Sequence, residues 1–199
     1  MGCVKGYFIQ YKFILPETVS HSSYTYQKLF RALYGYTQNV SKSSGKSYSY
    51  HRKGVLSAVP YLRPGKNCVV IPQAMLSGLI DFFKTGKNPS HKWASKGNWK
   101  AVYYMNEREV SLDEATASFE NVLDRHFVLS NAKEHEKLES ELSAIVQLVK
   151  SGQKADPQKK ALLLDEAQKI TSHEWFQACA TKSPKLKRFS SLVSDLKTI

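Results

Sequence analysis

Cysteine is scarce in this chain, and so is acid in its first half. Three cysteines, Cys3, Cys68 and Cys179, stand far apart in 199 residues, with no C-x-x-C pair. This excludes a disulfide framework and a zinc-cysteine cluster, and fits a reducing compartment, cytoplasmic or, in a eukaryote, nuclear. The histidines (His21, His51, His91, His126, His135 and His173) show no H-x-x-x-H or His-Cys spacing, so neither a metal nor a cofactor is expected. Up to Val110 the acids are Glu17, Asp81, Glu107 and Glu109 alone. A two-metal nuclease needs clustered carboxylates, and that chemistry is poorly supplied. No stretch approaches the roughly 18 apolar residues that span a membrane. Lys5, Gln10 and Lys12 break the first apolar run, which argues against a signal peptide. Met1-Gly2-Cys3 invites acylation, but Gly6 stands where that signal wants Ser or Thr. Gly45-Lys46-Ser47 matches the end of a P-loop, yet the first glycine of that motif would fall at Val40, so triphosphate hydrolysis is rejected.

What the chain does have is cations and tyrosine, both on one side of Val110. Residues 1–110 hold 16 Lys and Arg against 4 Asp and Glu, whereas residues 111–199 hold 13 of each, so the whole net charge of +12 lies in the first part. All 11 tyrosines lie between Tyr7 and Tyr104. A one-sided positive field attracts polyanions. Rings interleaved with cations suit unstacked bases and phosphates, so RNA or single-stranded DNA is the expected partner. Two plainer readings compete. The charge serves solubility, or it answers an acidic protein for which this chain is a subunit or assembly factor.

The chain divides into a basic α+β region, 1–110, and a helical region, 111–199, expected to pack, dimerise or dock a partner protein. Residues 4–15 read as a strand, with Tyr7, Ile9, Tyr11 and Phe13 on one face and Phe8, Gln10, Lys12 and Ile14 on the more exposed one. A helix is expected over 24–39 with its end weakened by Gly35, then a polar loop over 41–54 with a strand entry at Tyr48, and a hairpin from VLSAVPYL and NCVVIP around Pro64-Gly65. Pro60 places the first of those strands at an edge or bulge. A helix over 73–84, a basic loop over 84–100 and a strand over 99–105 complete the region. That order is the split βαββαβ arrangement of ferredoxin-like and RNA-recognition folds. Beyond Val110, helices are expected at 112–128, 134–151, 157–171 and 185–197. Ser111 and Glu114 are spaced as a capping box.

Three segments are candidate nucleic-acid contacts. The first holds Lys42, Lys46, Tyr48, Tyr50, His51, Arg52 and Lys53, with the two tyrosines on one face when extended. The second holds Lys84, Lys87, His91, Lys92, Trp93, Lys96 and Lys100, with Trp99 read mainly as core. The third is the hairpin tip, Arg63, Lys66 and Asn67. The split arrangement puts the tip and the 84–98 loop at one end of the sheet and the 42–53 loop at the other, so a strand crossing the open face would touch both. No catalytic residue is expected. A small metal-independent endoribonuclease, using His51 with Tyr50 and Lys53, or His91 with Lys92, is the alternative.

Overall fold

β1 (Cys3–Ile14) is the spine of the N-terminal unit. Its alternation decides which face is covered. Ile9, Tyr11 and Phe13 are buried, while Gln10, Lys12 and Ile14 are exposed. Such an alternation marks a sheet with one face on the core and one toward water. The computed structural model describes residues 2–41, 47–88, 98–131 and 134–198. It is a mixed α+β chain in two units, one Cys3–Val110, the other Met1–Gly2 with Ser111–Ile199.

In the N-terminal unit β1 lies between β4 (Cys68–Ile71) and β5 (Lys100–Ser111), in the order β4-β1-β5. β4 runs antiparallel to β1, with Tyr7 opposite Ile71 and Gln10 opposite Cys68. Helices α1 (Tyr24–Tyr34) and α2 (Leu76–Thr85) contribute Leu29, Leu33, Leu79, Phe82 and Phe83 to the core. Phe13 sits among five rings: Tyr11 at 5.3 Å, Phe30 at 5.4 Å, Phe82 at 6.4 Å, Phe83 at 6.0 Å and Trp99 at 5.5 Å. Three of these pairs are within 6° of perpendicular, the edge-to-face arrangement worth about 0.5–1.5 kcal/mol each beyond area burial.

Three expectations change. Helix α1 stops at Tyr34, five residues short of Asn39, because Gly35 takes φ of 76° and its N–H closes on Arg31 O. The chain then turns into β2 (Tyr36–Ser41), which pairs with β3 (Ser47–Arg52). The polar segment read as a loop is therefore half of a two-stranded ribbon. Residues 55–61 form turns instead of a strand, and only Leu62 makes a bridge, to Val70. Leu56 and Val59 are both buried, a spacing of three that suits a turn and not an alternating strand. The sheet thus has three strands where four were expected.

In the C-terminal unit, α3 (Leu112–Arg125) starts at Ser111 with both halves of the capping box formed. The expected helix over 134–151 is shorter. β6 (Phe127–Asn131) and β7 (Glu134–Lys137) pair first, and α4 (Leu138–Lys150) follows. The β-prone Phe127-Val128-Leu129 run, with Val128 buried, favours pairing over helix continuation. α5 (Pro157–Thr171) matches its expected range, with Asp156 accepting from Gln158 N at 2.9 Å. α6 (Phe176–Lys182) was not expected, and α7 (Pro184–Thr198) buries Leu186, Phe189, Val193 and Leu196. Among the described residues no helix is long and apolar enough to cross a membrane.

Candidate nucleic-acid interface

The last turn of α1 is where separate basic segments meet. A helix end leaves carbonyls without intrahelical donors. Here those of Ala32 and Leu33 accept from Val55 N at 2.9 Å and Leu56 N at 2.8 Å. Ala32 O also accepts from the Asn88 side-chain amide. The chain after β3 and the chain after α2 are therefore both tied to the same helix end. Arg63 joins them, its guanidinium 4.4 Å from the centre of the Tyr34 ring. Cations at a helix C-terminus also complement its dipole.

Gly35 and Gly54 close the base of the ribbon. A Cβ on Gly54 would collide with Gly35 N and lie 2.7 Å from Tyr34 C. A Cβ on Gly35 would collide with Ser57 Oγ and lie 2.7 Å from Arg52 O. Ser57 Oγ accepts from Gly54 N at 2.7 Å and donates to Tyr34 O at 3.2 Å. An isolated hairpin is marginal in water, so this backbone-to-backbone seat is what anchors β2 and β3.

Cross-strand pairing sorts the ribbon into two faces. Tyr36 opposes Arg52, Gln38 opposes Tyr50, and Val40 opposes Tyr48. That face carries the rings. The other face is polar: Thr37 Oγ1 and His51 Nδ1 are 2.9 Å apart, and Ser49 Oγ donates to Asn39 Oδ1 at 2.7 Å. The ring face continues onto α1. Arg31 lies 5.0 Å from the Tyr36 ring and 5.4 Å from the Tyr24 ring, and Lys28 lies 4.7 Å from Tyr24. Arg52 in turn lies 5.8 Å from Tyr50. Cation and ring alternate across the surface, and Tyr24 is 58% exposed.

Of the residues expected to bind, Tyr48, Tyr50 and Arg52 share the ring face, and Arg63 lies near its base. His51 points to the opposite face from Tyr50, so these two are not brought together as a catalytic set. Lys53 follows the ribbon and is exposed. Lys84, in the last turn of α2, and Lys87 are exposed beside Asn88 in sequence, and Lys100 is exposed at the start of β5. Lys66 lines a separate cleft on the sheet. Lys42, Lys46, His91, Lys92, Trp93 and Lys96 lie outside the described residues. Trp99 is core, 6% exposed and edge-on to Phe13.

Of the expected tip, Arg63 lies with Asn88 and the ribbon base at the α1 terminus and not at the opposite end, while Lys66 and Asn67 line the separate cleft. The reason is that β2 starts immediately after that helix, so the ribbon begins where the helix ends. Four residues outside the expected set belong to this surface: Tyr24, Lys28, Arg31 and Tyr36. Tyr24, Lys28 and Arg31 are spaced i, i+4, i+7, one helical face, which is a signal visible in sequence.

Beneath the surface Tyr11 and Tyr34 share a hydroxyl–hydroxyl hydrogen bond of 2.8 Å. Burial pushes both phenols above their ordinary value, so they stay neutral and serve as hydrogen-bonding groups and not as bases. Among the described residues no group of three His, Cys, Asp or Glu is placed to hold a metal. No protein-family model, curated protein or solved structure matches this chain.

Proposed function

We propose that the N-terminal unit binds single-stranded nucleic acid, RNA or DNA, without cleaving it. One observation carries this reading: the last turn of α1 gathers the ribbon, Arg63 and the Asn88 turn, and its surface alternates Arg and Lys with tyrosine rings. Bases stack on rings whatever their identity, and cations track the phosphates between them. Duplex DNA offers no unstacked base to such rings, so its binding rests on charge alone. The unit also fits a reduced form of the split βαββαβ arrangement, since Leu62 bridges the free edge of β4 where that arrangement places its second strand.

The test is fluorescence anisotropy with labelled single-stranded RNA, single-stranded DNA and duplex DNA of equal length. The reading expects single strands to bind more tightly than duplex, with Tyr50→Ala and Tyr36→Ala weakening them by about 1–3 kcal/mol each. No binding to any nucleic acid at moderate salt would overturn it and assign the charge to an acidic protein partner. Shortening of the RNA during the assay would promote the endoribonuclease.

A further inference from the structure

A cleft of about 600 Å³, a size typical of small-ligand sites, opens beside β1 and is lined by residues from both faces of the sheet. It is lined by Lys12 and Gln10 of β1, Lys66 and Asn67 before β4, Tyr104 of β5, and His21 with Tyr26 at the start of α1. The chemistry at its two sides differs. Tyr104 is 64% exposed, a large ring held toward water by a strand. His21 and Tyr26 hold their rings 4.8 Å apart, and Tyr26 is fixed by an edge-on contact with Phe30 at 5.1 Å. These are flat apolar surfaces for a planar group.

The cations meet differently. Tyr11 N donates to Asn67 O at 2.9 Å, one step beyond the Gln10–Cys68 pair. Lys12 follows Tyr11 and Lys66 precedes Asn67, so the two lysines flank this bond and both line the cleft. Like charges brought to one cleft repel. Lys12 and Lys66 are both exposed, and neither has an ion pair among the described residues. An anion between them removes the repulsion. Asn67, at φ of 56°, turns the chain here and brings an amide to the same cleft. A non-glycine residue in the left-handed region is uncommon and worth noting at a binding site.

We propose that this cleft binds one nucleotide, its phosphate between Lys12 and Lys66 and its base against Tyr104 or the His21–Tyr26 pair. In its fuller form the proposal rests on the single-strand reading above: the cleft takes one unit of the strand held at the α1 terminus. The two places are neighbours, because Tyr11 lines the cleft and hydrogen-bonds Tyr34, over which Arg63 lies. The ligand chemistry, a base with a phosphate, is shared by a free nucleotide and by a nucleotide within a strand.

Calorimetric titration of the full chain with uridine 5′-monophosphate, adenosine 5′-monophosphate, uridine and inorganic phosphate tests the site. A short oligonucleotide without terminal phosphates is titrated in parallel. Saturable binding of a mononucleotide is expected, with uridine and phosphate each at least about fivefold weaker. Lys12→Ala, Lys66→Ala and Tyr104→Ala alter exposed side chains and are each expected to weaken the mononucleotide at least about fivefold. Loss of oligonucleotide affinity in the same variants places a strand unit in the cleft. Mononucleotide binding without oligonucleotide binding makes the cleft a site for free nucleotides and ends the single-strand reading. Oligonucleotide binding that the three variants leave unchanged, with no saturable mononucleotide binding up to about 10 mM, overturns the cleft and leaves the single-strand reading standing.

Discussion

Replacing Gly54 by alanine tests whether the ribbon is seated on α1 by direct backbone contact. The added Cβ would meet Gly35 N, with Tyr34 C at 2.7 Å and Leu33 O at 2.8 Å. All three are backbone atoms, so no side chain can rotate away. Relief requires lifting the ribbon base off the helix end, against the bonds from Val55 N to Ala32 O and from Leu56 N to Leu33 O. Overpacking of this kind costs about 1–3 kcal/mol. For a chain of this size each kcal/mol lowers Tm by about 2–4 °C, so a fall of about 2–12 °C is expected. Near-ultraviolet dichroism follows chiefly this unit, which holds all 11 tyrosines and two of the three tryptophans. Gly65→Ala is the control, since its Cβ would meet nothing within 4 Å. If Gly54→Ala unfolds within about 0.5 kcal/mol of Gly65→Ala, the close seat does not exist.

Trp99→Ala should cost about 3–5 kcal/mol in urea denaturation of the N-terminal unit, as removal of a buried ring beside Phe13 and Phe82 requires. A small loss of stability with a large loss of nucleic-acid affinity would instead make Trp99 a surface ring. Tyr50→Ala should weaken single-strand binding by about 1–3 kcal/mol, while His51→Ala, on the other ribbon face, should change it by less than about 0.5 kcal/mol. Equal effects in anisotropy titrations would contradict the two-faced ribbon. In the C-terminal unit burial holds His173 below its ordinary value, and its Nε2 has no hydrogen-bond partner among the described residues. The unfolded chain therefore takes up a proton on this residue before the folded one does. The stability from His173 is complete above about pH 6.5 and lost as pH falls toward the lower folded-state value. His173→Phe should flatten that fall in a pH series of thermal melts, and an unchanged slope would refute it.

Much of the fold could be read from local pattern. The two faces of β1 follow from strict alternation at Ile9, Tyr11 and Phe13 against Gln10, Lys12 and Ile14. The capping box at Ser111 and the proline start of α5 are likewise local signals. The ribbon was not legible in the same way. Tyr36–Ser41 continues a helical run in composition, and only the positive φ at Gly35 separates it from α1. Its partner, Ser47–Arg52, showed in sequence only as a strand entry at Tyr48 inside a polar segment, because neither face of a two-stranded ribbon is fully covered. The same limit applied to the site. The rings and cations of the 48–53 segment were recognisable by type, but their convergence with Arg31, Arg63 and Asn88 depends on bonds to Ala32 and Leu33 that link residues more than 20 positions apart. Lys12 was legible in sequence as an exposed residue of β1, but its convergence with Lys66 on one cleft depends on the fold.

The most direct test of the account is the salt dependence of binding to single-stranded RNA, for the wild type and for the double variant Arg31→Gln with Arg52→Gln. Each neutralised phosphate on a single strand contributes about −0.7 to the slope of log K against log salt, so the four cations Lys28, Arg31, Arg52 and Arg63 account for about −3. The wild-type slope is expected to be at least that steep and the variant slope shallower by about 1.4, with affinity reduced at every salt concentration. A slope near zero, or one that the double variant leaves unchanged, would contradict a phosphate-binding surface at the end of α1.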